Sequence, residues 1–272
     1  MRKLPVLPDN FKDPALPKGT WSISQYNLYK KCGFAYYLKN ILGMIKLQNP
    51  LAYKGNILHK GVEYSLSKVK NKEDVPLKEA LAVVTDAFEK DKESVSWDPK
   101  DDTETGAKDK VILAYIQYHR TALPNAKPLE IEWGFATKIG DIPTIGYIDL
   151  IDQVPILPGA SEPANPIVTD LKYTRTSWNQ NDLTTDPQFT LYSLVTGIPR
   201  VRVDNLVALK AGPVFKQLTG YRDKISQDIL VEDFHETVDA IKKGFFPKAP
   251  IDSWQCSAAY CEFYSDCRGK RR

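Results

Sequence analysis

Residues 142–173 read IPTIGYIDLIDQVPILPGASEPANPIVTDLKY. The two ends of this stretch, IPTIGYIDLIDQV and PIVTDLKY, are short, apolar and rich in β-branched residues, as strands are. Between them PILPGASEPAN is too rich in proline and glycine for regular structure and reads as a long hairpin tip. Acids gather in the same passage. Asp170 and Lys172 are two apart, so on a strand they share one face while Leu171 points to the other. An antiparallel partner can bring Asp149, at the end of Gly146-Tyr147-Ile148-Asp149, beside them. Two carboxylates converging on one point repel unless a cation lies between them, and hard divalent ions take such oxygen ligands. A lysine alongside can orient an attacking water and offset negative charge in a transition state. The plainer alternative is a strand with a surface ion pair.

Working outward, LEIEWGFATK at 129–138 reads as another strand, and Val201–Leu209 and 213–219 as two more. Upstream, Ser24 is placed to cap a helix running to about Leu42, with Tyr26, Tyr29, Phe34, Tyr37 and Leu38 on a broad aromatic face. A second helix spans about Lys54 to Lys70, where Ile57, Leu58, Val62, Leu66 and Val69 fall at helical spacing. Helices are also expected over Leu77–Glu93, Lys108–Leu123, about Asp186–Thr196 and 231–244. This order predicts an α/β fold: a mixed central sheet flanked by helices, with an N-terminal helical lobe against it. Four prolines within residues 1–20 suggest an extended arm. One domain over 21–268 is expected, with a helical lobe at about 21–125, a core at about 126–230, and a C-terminal helix and cysteine segment at 231–268. Residues 269–272 form a basic tail.

Two helical pairs complete the acidic constellation. Gly55-x3-His59-x3-Glu63 puts His59 and Glu63 on one helix face, and Gln188-x3-Tyr192 repeats that spacing downstream. Taken singly, His59 reads as a satisfied helix histidine, and Gln188 and Tyr192 as ordinary surface and core positions. Taken together and in this order, these residues resemble the PD-(D/E)XK nuclease superfamily, specifically its RecB-like branch. That branch includes CRISPR-associated RecB-like nucleases and the AddB nuclease domain. The resemblance spans roughly residues 20–270 and implies a restriction-endonuclease-like fold and metal-dependent hydrolysis of DNA phosphodiesters. It implies that His59, Asp149, Asp170 and the Leu171 carbonyl hold Mg²⁺ or Mn²⁺. An imidazole ligand favours Mn²⁺. Lys172 would position the attacking water, with Gln188 and Tyr192 orienting Lys172 or the DNA. Glu132 and Glu63 are candidates for supporting the site, or structural carboxylates. The loop between Asp149 and Asp170 is longer than the family minimum.

Three of the four cysteines fall near the C-terminus, as Cys256-x4-Cys261-x5-Cys267, and the fourth is Cys32. Four are too few for a disulfide scaffold at this size. Structural Zn²⁺ sites usually show closer pairs, while iron–sulfur ligands tolerate wider spacing. Several RecB-like nucleases carry one cysteine before the nuclease motifs and three after, so the resemblance implies a [4Fe–4S] cluster on Cys32, Cys256, Cys261 and Cys267. Zn²⁺ is the alternative.

The chain has 272 residues with 37 Lys+Arg against 34 Asp+Glu, a formal net charge of +3, and 42% hydrophobic residues. That composition excludes disorder, collagen and coiled coil as overall descriptions, and its charge alone does not announce nucleic acid. No apolar run approaches the roughly 20 residues of a membrane span. The opening residues lack the apolar stretch of a signal peptide, so a cytoplasmic location is expected. Lys30, Lys31, Lys39 and Lys46 interspersed with Tyr26, Tyr29, Tyr36 and Tyr37 suit single-stranded DNA, with phosphates on cations and bases on rings; the competing reading is a partly buried aromatic face with solvated lysines. Lys30 and Tyr36 represent that patch as DNA contacts, and Arg175, just past Lys172, is a better placed phosphate contact. The expectation is a metal-dependent exonuclease acting on single-stranded DNA ends in recombination, repair or CRISPR or phage DNA processing. A catalytically weak DNA-end-binding subunit is the alternative. Because G-x4-G-K-[ST] is missing, any unwinding belongs to a partner such as a helicase, or to recombination or CRISPR integration proteins.

Overall fold

The computed structural model describes residues 4–8, 10–97, 103–154, 165–258 and 260–269. Five strands form one sheet in the order β1-β2-β3-β4-β5: β1 Pro128–Ile139, β2 Ile142–Val154, β3 Asn165–Thr174, β4 Arg200–Leu209 and β5 Gly212–Tyr221. Only the β3–β4 pair is parallel. A parallel neighbour needs a crossover, and the chain supplies it with α6 (Gln180–Thr185) and α7 (Pro187–Thr196). The expected hairpin tip at 155–164 lies outside the described residues.

Each face of the sheet has its own helical layer. On one side lie α3 (Pro50–Lys70), α4 (Leu77–Asp91) and α5 (Glu104–Thr121). Ile57, Leu58, Val84, Phe88 and Tyr115 there pack with Leu150, Leu171, Tyr173 and Leu206 of the sheet. The other side carries α1 (Ile23–Lys31), α2 (Gly33–Tyr36), α7 and α8 (Lys224–Lys242), whose Tyr26, Tyr36, Leu191 and Phe234 pack with Phe135, Ile148 and Val168. The mixed sheet flanked by helices is therefore as expected. The helices before Pro128 do not form a single lobe, however, because α1 and α2 cover the face opposite α3–α5.

Two local expectations fail for long-range reasons. The cap of α1 is Ser22, which accepts from Gln25 N, because fully buried Trp21 is pinned to Thr144 of β2 and sets where the helix begins. The predicted continuous helix breaks at Cys32, which is extended at φ −166°. There Phe34 N–H donates to the Pro247 carbonyl at 3.0 Å, and a Cβ at Gly33 would lie 2.6 Å from Pro247 Cδ. The C-terminal segment thus wedges into the break. Residues 10–20 are also not an extended arm: they fold in turns that bury Phe11 and Leu16, with Asp13 paired to Lys242 at 2.8 Å. A short final helix, α9, covers Tyr264–Cys267.

The α3–α5 layer is tight at Gly61, where a Cβ would lie 2.4 Å from Val84 Cγ2 and 3.0 Å from Tyr115 Cδ2. Helix propensity alone favours Ala over Gly by about 1 kcal/mol. Contacts with side chains of two different helices outweigh that gain, since overpacking a closed core costs about 1–3 kcal/mol. Gly61→Ala is expected to lower the thermal midpoint. An unchanged or higher midpoint would mean this layer is looser than described.

Candidate active site

The β2–β3 ladder runs from Val154↔Asn165 to Leu150↔Thr169 and stops there. Asp149 and Asp170 are the next residues on their strands. With no β2 backbone across from it, Leu171 N–H donates to Asp149 Oδ2 at 2.9 Å, and the Leu171 carbonyl faces His59 Nε2 at 2.9 Å. His59 reaches down from α3, placing Nδ1 3.5 Å from Asp149 Oδ2. The opened ladder thus gathers an imidazole, a carboxylate and a main-chain carbonyl on one spot.

The lysine and the helical pair form one network with Asp170. Lys172 Nζ lies 2.7 Å from Asp170 Oδ2 and donates to Gln188 Oε1 at 2.7 Å. Gln188 Nε2 donates to Asp170 Oδ1 at 2.7 Å and to the Tyr192 hydroxyl at 2.6 Å. Tyr192 in turn donates to the Tyr147 carbonyl at 2.8 Å. The start of α7 makes this possible: Asp186 caps it, accepting from Gln188 N at 2.7 Å, and Pro187 occupies its first turn. An Asp-Pro step is a helix-start signal legible in sequence. Asp186 has a second effect that sequence reasoning missed, since its charge bears on Lys172.

Burial works against every charge here, so the partners decide. Burial opposes the imidazolium of His59, but Asp149, with Asp170 and Glu132, raises its pKa to about 9. Asp149 is held below the usual carboxylate range: burial pushes it up, and His59, the Leu171 N–H and Lys172 outweigh that. Asp170 is raised to about 7 by burial and by the Asp149 charge, against the pull of Lys172. Lys172 stays an ammonium, because Asp170 and Asp186 overcome its burial. It is therefore a cationic donor rather than a base.

Glu132 joins the cluster. His59, Glu132 and Asp149 each offer one ligand atom within 4.8 Å of the others. Glu132 is buried and holds φ +47°, a left-handed conformation that costs an L-residue roughly 1–2 kcal/mol. Glu63 lines the adjoining small pocket together with His59, Glu132 and Asp149. The residues present fit a divalent cation, since they combine carboxylates, an imidazole and a carbonyl within one cluster.

Cys32, Cys256, Cys261 and Cys267 line a single recess of about 300 Å³, and none forms a disulfide. Arg268 Nε donates to Cys256 Sγ at 3.1 Å, and Ala249 N–H to Cys32 Sγ at 3.4 Å. Burial pushes the Cys261 thiol up; the Phe263 backbone N–H opposes this, and Cys32 and Cys256 lie close enough to add to it.

The expected DNA contacts separate. Tyr36 is fully buried against Trp21, Tyr29 and Phe246, so it is a core residue and cannot stack on a base. Its ring follows the break at Cys32, which helical periodicity does not show. Lys30 pairs with Asp233 of α8 at 3.0 Å. Lys31, Lys39, Lys46 and Arg175 instead line an open groove of about 2380 Å³ that also borders Cys32, Cys256 and Cys261. Lys39 and Lys46 are answered there by Glu262 at 2.9 Å and Asp266 at 2.8 Å. No helix among the described residues is long and apolar enough to cross a membrane.

Comparison with solved structures places this architecture beside a candidate exonuclease from Eubacterium rectale, at 11% identity and a TM-score of 0.55. That alignment covers 95% of this chain and 93% of the other, and what it shows is a shared fold. SSO0001 aligns at 14% identity and a TM-score of 0.36, covering 92% of this chain and 98% of the other. No curated protein sequence matches the chain. The family model that describes the PD-(D/E)XK nuclease superfamily matches residues 20–268, which include every residue of the site. The chain belongs to the PD-(D/E)XK nuclease superfamily.

Proposed function

We propose that this nuclease is a metal-dependent deoxyribonuclease of the RecB-like type, acting as an exonuclease at single-stranded DNA ends. The observation that carries the reading is the meeting of His59, Asp149 and the Leu171 carbonyl where the β2–β3 ladder opens, with Asp170 paired to Lys172 on the adjoining strand. Those four would hold Mg²⁺ or Mn²⁺. When bound, the cation supplies positive charge at the oxygens of the scissile phosphate. Lys172 orients the attacking water and keeps its own proton. Gln188 fixes the lysine and Asp170 relative to each other, and Tyr192 fixes Gln188 through the Tyr147 carbonyl. Arg175 and Lys31, which line the open groove, would meet the phosphates of an unpaired strand. The test offers linear and circular single-stranded DNA, and linear duplex, with Mg²⁺ or Mn²⁺. Degradation of linear single strands with circles spared is the expected result. Nicking of circles overturns the dependence on ends, and intact DNA in every reaction overturns the nuclease reading.

In the same reading, Cys32, Cys256, Cys261 and Cys267 hold a [4Fe–4S] cluster with a structural role. Support comes from their shared recess and from the N–H groups of Arg268 and Ala249 directed at sulfur. Such a link would tie the broken first helix to the C-terminal segment. By analogy with other long-loop cross-links it contributes about 4–5 kcal/mol. Protein purified without oxygen is expected to be brown with broad visible absorption, and Cys267→Ser to lose both colour and thermal stability. A colourless preparation holding zinc on these thiols would replace the cluster with a zinc site.

A further inference from the structure

We propose that Glu132 is a direct ligand of the divalent cation, and that the left-handed backbone at Glu132 exists to aim its carboxylate there. This rests on the metal-dependent reading above and adds a residue to it. Among the described residues, Lys72 and Glu132 are the only two non-glycines with positive φ. Lys72 sits in the turn after α3, where such a conformation is ordinary. Glu132 sits inside a strand, where nothing local calls for it.

The register explains what the conformation accomplishes. Ile131 pairs with Leu150 and Trp133 with Ile148, so Glu132 stands opposite Asp149 between them. Residues two apart on a strand normally share a face, yet here they do not. Ile131 packs against the α3–α5 core and Trp133 against the opposite core. On β2, Leu150 belongs to the first core and Ile148 to the second. Both strands therefore switch faces at the same rung, the rung that carries Glu132 and Asp149. The paired distortion brings ligand atoms of both acids and of His59 within 4.8 Å of one another. A glutamate that served packing alone would gain nothing from a strained backbone, whereas a glycine would hold this φ without strain. A residue that faces a cation has a reason to keep it.

Mn²⁺ titration calorimetry on wild type, Glu132→Gln, Glu132→Gly and Asp170→Asn tests this, with melting curves of each in EDTA. Both Glu132 variants are expected to bind Mn²⁺ at least about tenfold more weakly. Glu132→Gly is expected to melt above Glu132→Gln in EDTA, because only glycine releases the strain. If Asp170→Asn loses Mn²⁺ but both Glu132 variants bind within twofold of wild type, this inference falls and the metal reading stands. If Asp170→Asn also binds like wild type, or wild type binds no Mn²⁺, both fall. Glu132→Gly melting at or below Glu132→Gln overturns the assignment of strain to this backbone.

Discussion

Asp170→Asn is expected to lower the DNA-cleavage rate by about 10³-fold or more, equivalent to roughly 4 kcal/mol of transition-state stabilisation. Asparagine keeps the shape of the side chain and can still accept from Gln188 Nε2, now 2.7 Å from Asp170 Oδ1. What it removes is the negative charge, which serves two purposes. In the proposed mechanism the charge is a ligand for the cation, and it is the partner that lies 2.7 Å from Lys172 and holds it in place. Losing one such electrostatic element in a water-poor site costs about 10²–10³-fold, and here two are lost together. Lys172→Ala, which removes the donor alone, should fall at about 10²–10³-fold. Initial rates on end-labelled DNA at saturating Mn²⁺ measure both, with melting curves showing that the variants are folded. Rates within tenfold of wild type for Asp170→Asn would place the reaction elsewhere.

The second large effect lies behind the site. Arg202 of β4 reaches Asp152 Oδ2 at 2.9 Å through one guanidinium nitrogen, and its Nε lies 2.9 Å from Asp204 Oδ1. All three side chains are nearly sealed from solvent, at 9%, 1% and 3% exposure. Gln217 also donates to Asp204, and the backbone N–H groups of Lys127 and Gln153 donate to Asp152. Burial raises the pKa of Asp204 even with Arg202 present to oppose it. Removing the arginine leaves two buried carboxylates without a counter-charge, which costs about 3–5 kcal/mol. Arg202→Met should therefore melt on the order of 10 °C lower at neutral pH. The sign with pH follows from linkage. In the variant, Asp204 holds its proton to a higher pH in the folded state than in the unfolded chain, where a carboxylate titrates near about 4. The folded state then binds more protons, so the deficit shrinks as pH falls toward that value. Melting of Arg202→Met and wild type between pH 5 and 8 (about neutral to mildly acid) checks this. An equal midpoint at neutral pH would show the triad to be compensated by solvent.

The parts of the site that could be read in sequence are those whose spacing is local. Asp170 with Lys172, and Gln188 with Tyr192, lie one strand period and one helical turn apart, and the structure joins all four in one network. The sheet was legible because its strands carry apolar, β-branched runs, and the crossover from β3 to β4 holds the predicted helix that became α7. What escaped depends on partners distant in the chain. The break at Cys32 exists because Pro247 wedges against Gly33, more than 200 residues away, and it turns Tyr36 from a surface ring into core. The face switch at Glu132 and Asp149 violates the period of two on which strand reading relies. Arg202 looked like an ordinary strand residue, since its partners Asp152 and Asp204 carry no recognisable spacing with it. Helix α6 went unread because its apolar content is one buried residue, Leu183.

In the proposed mechanism one cation site, built where β2 and β3 part, performs the chemistry. Diffraction from Mn²⁺-soaked crystals, read through the anomalous signal of manganese, tests it most directly. The expected result is a peak within about 2.5 Å of the Asp149 and Asp170 carboxylates and the Leu171 carbonyl, with the His59 ring turned to it. Manganese bound elsewhere, with this cluster empty in crystals that still cleave soaked DNA, would contradict it.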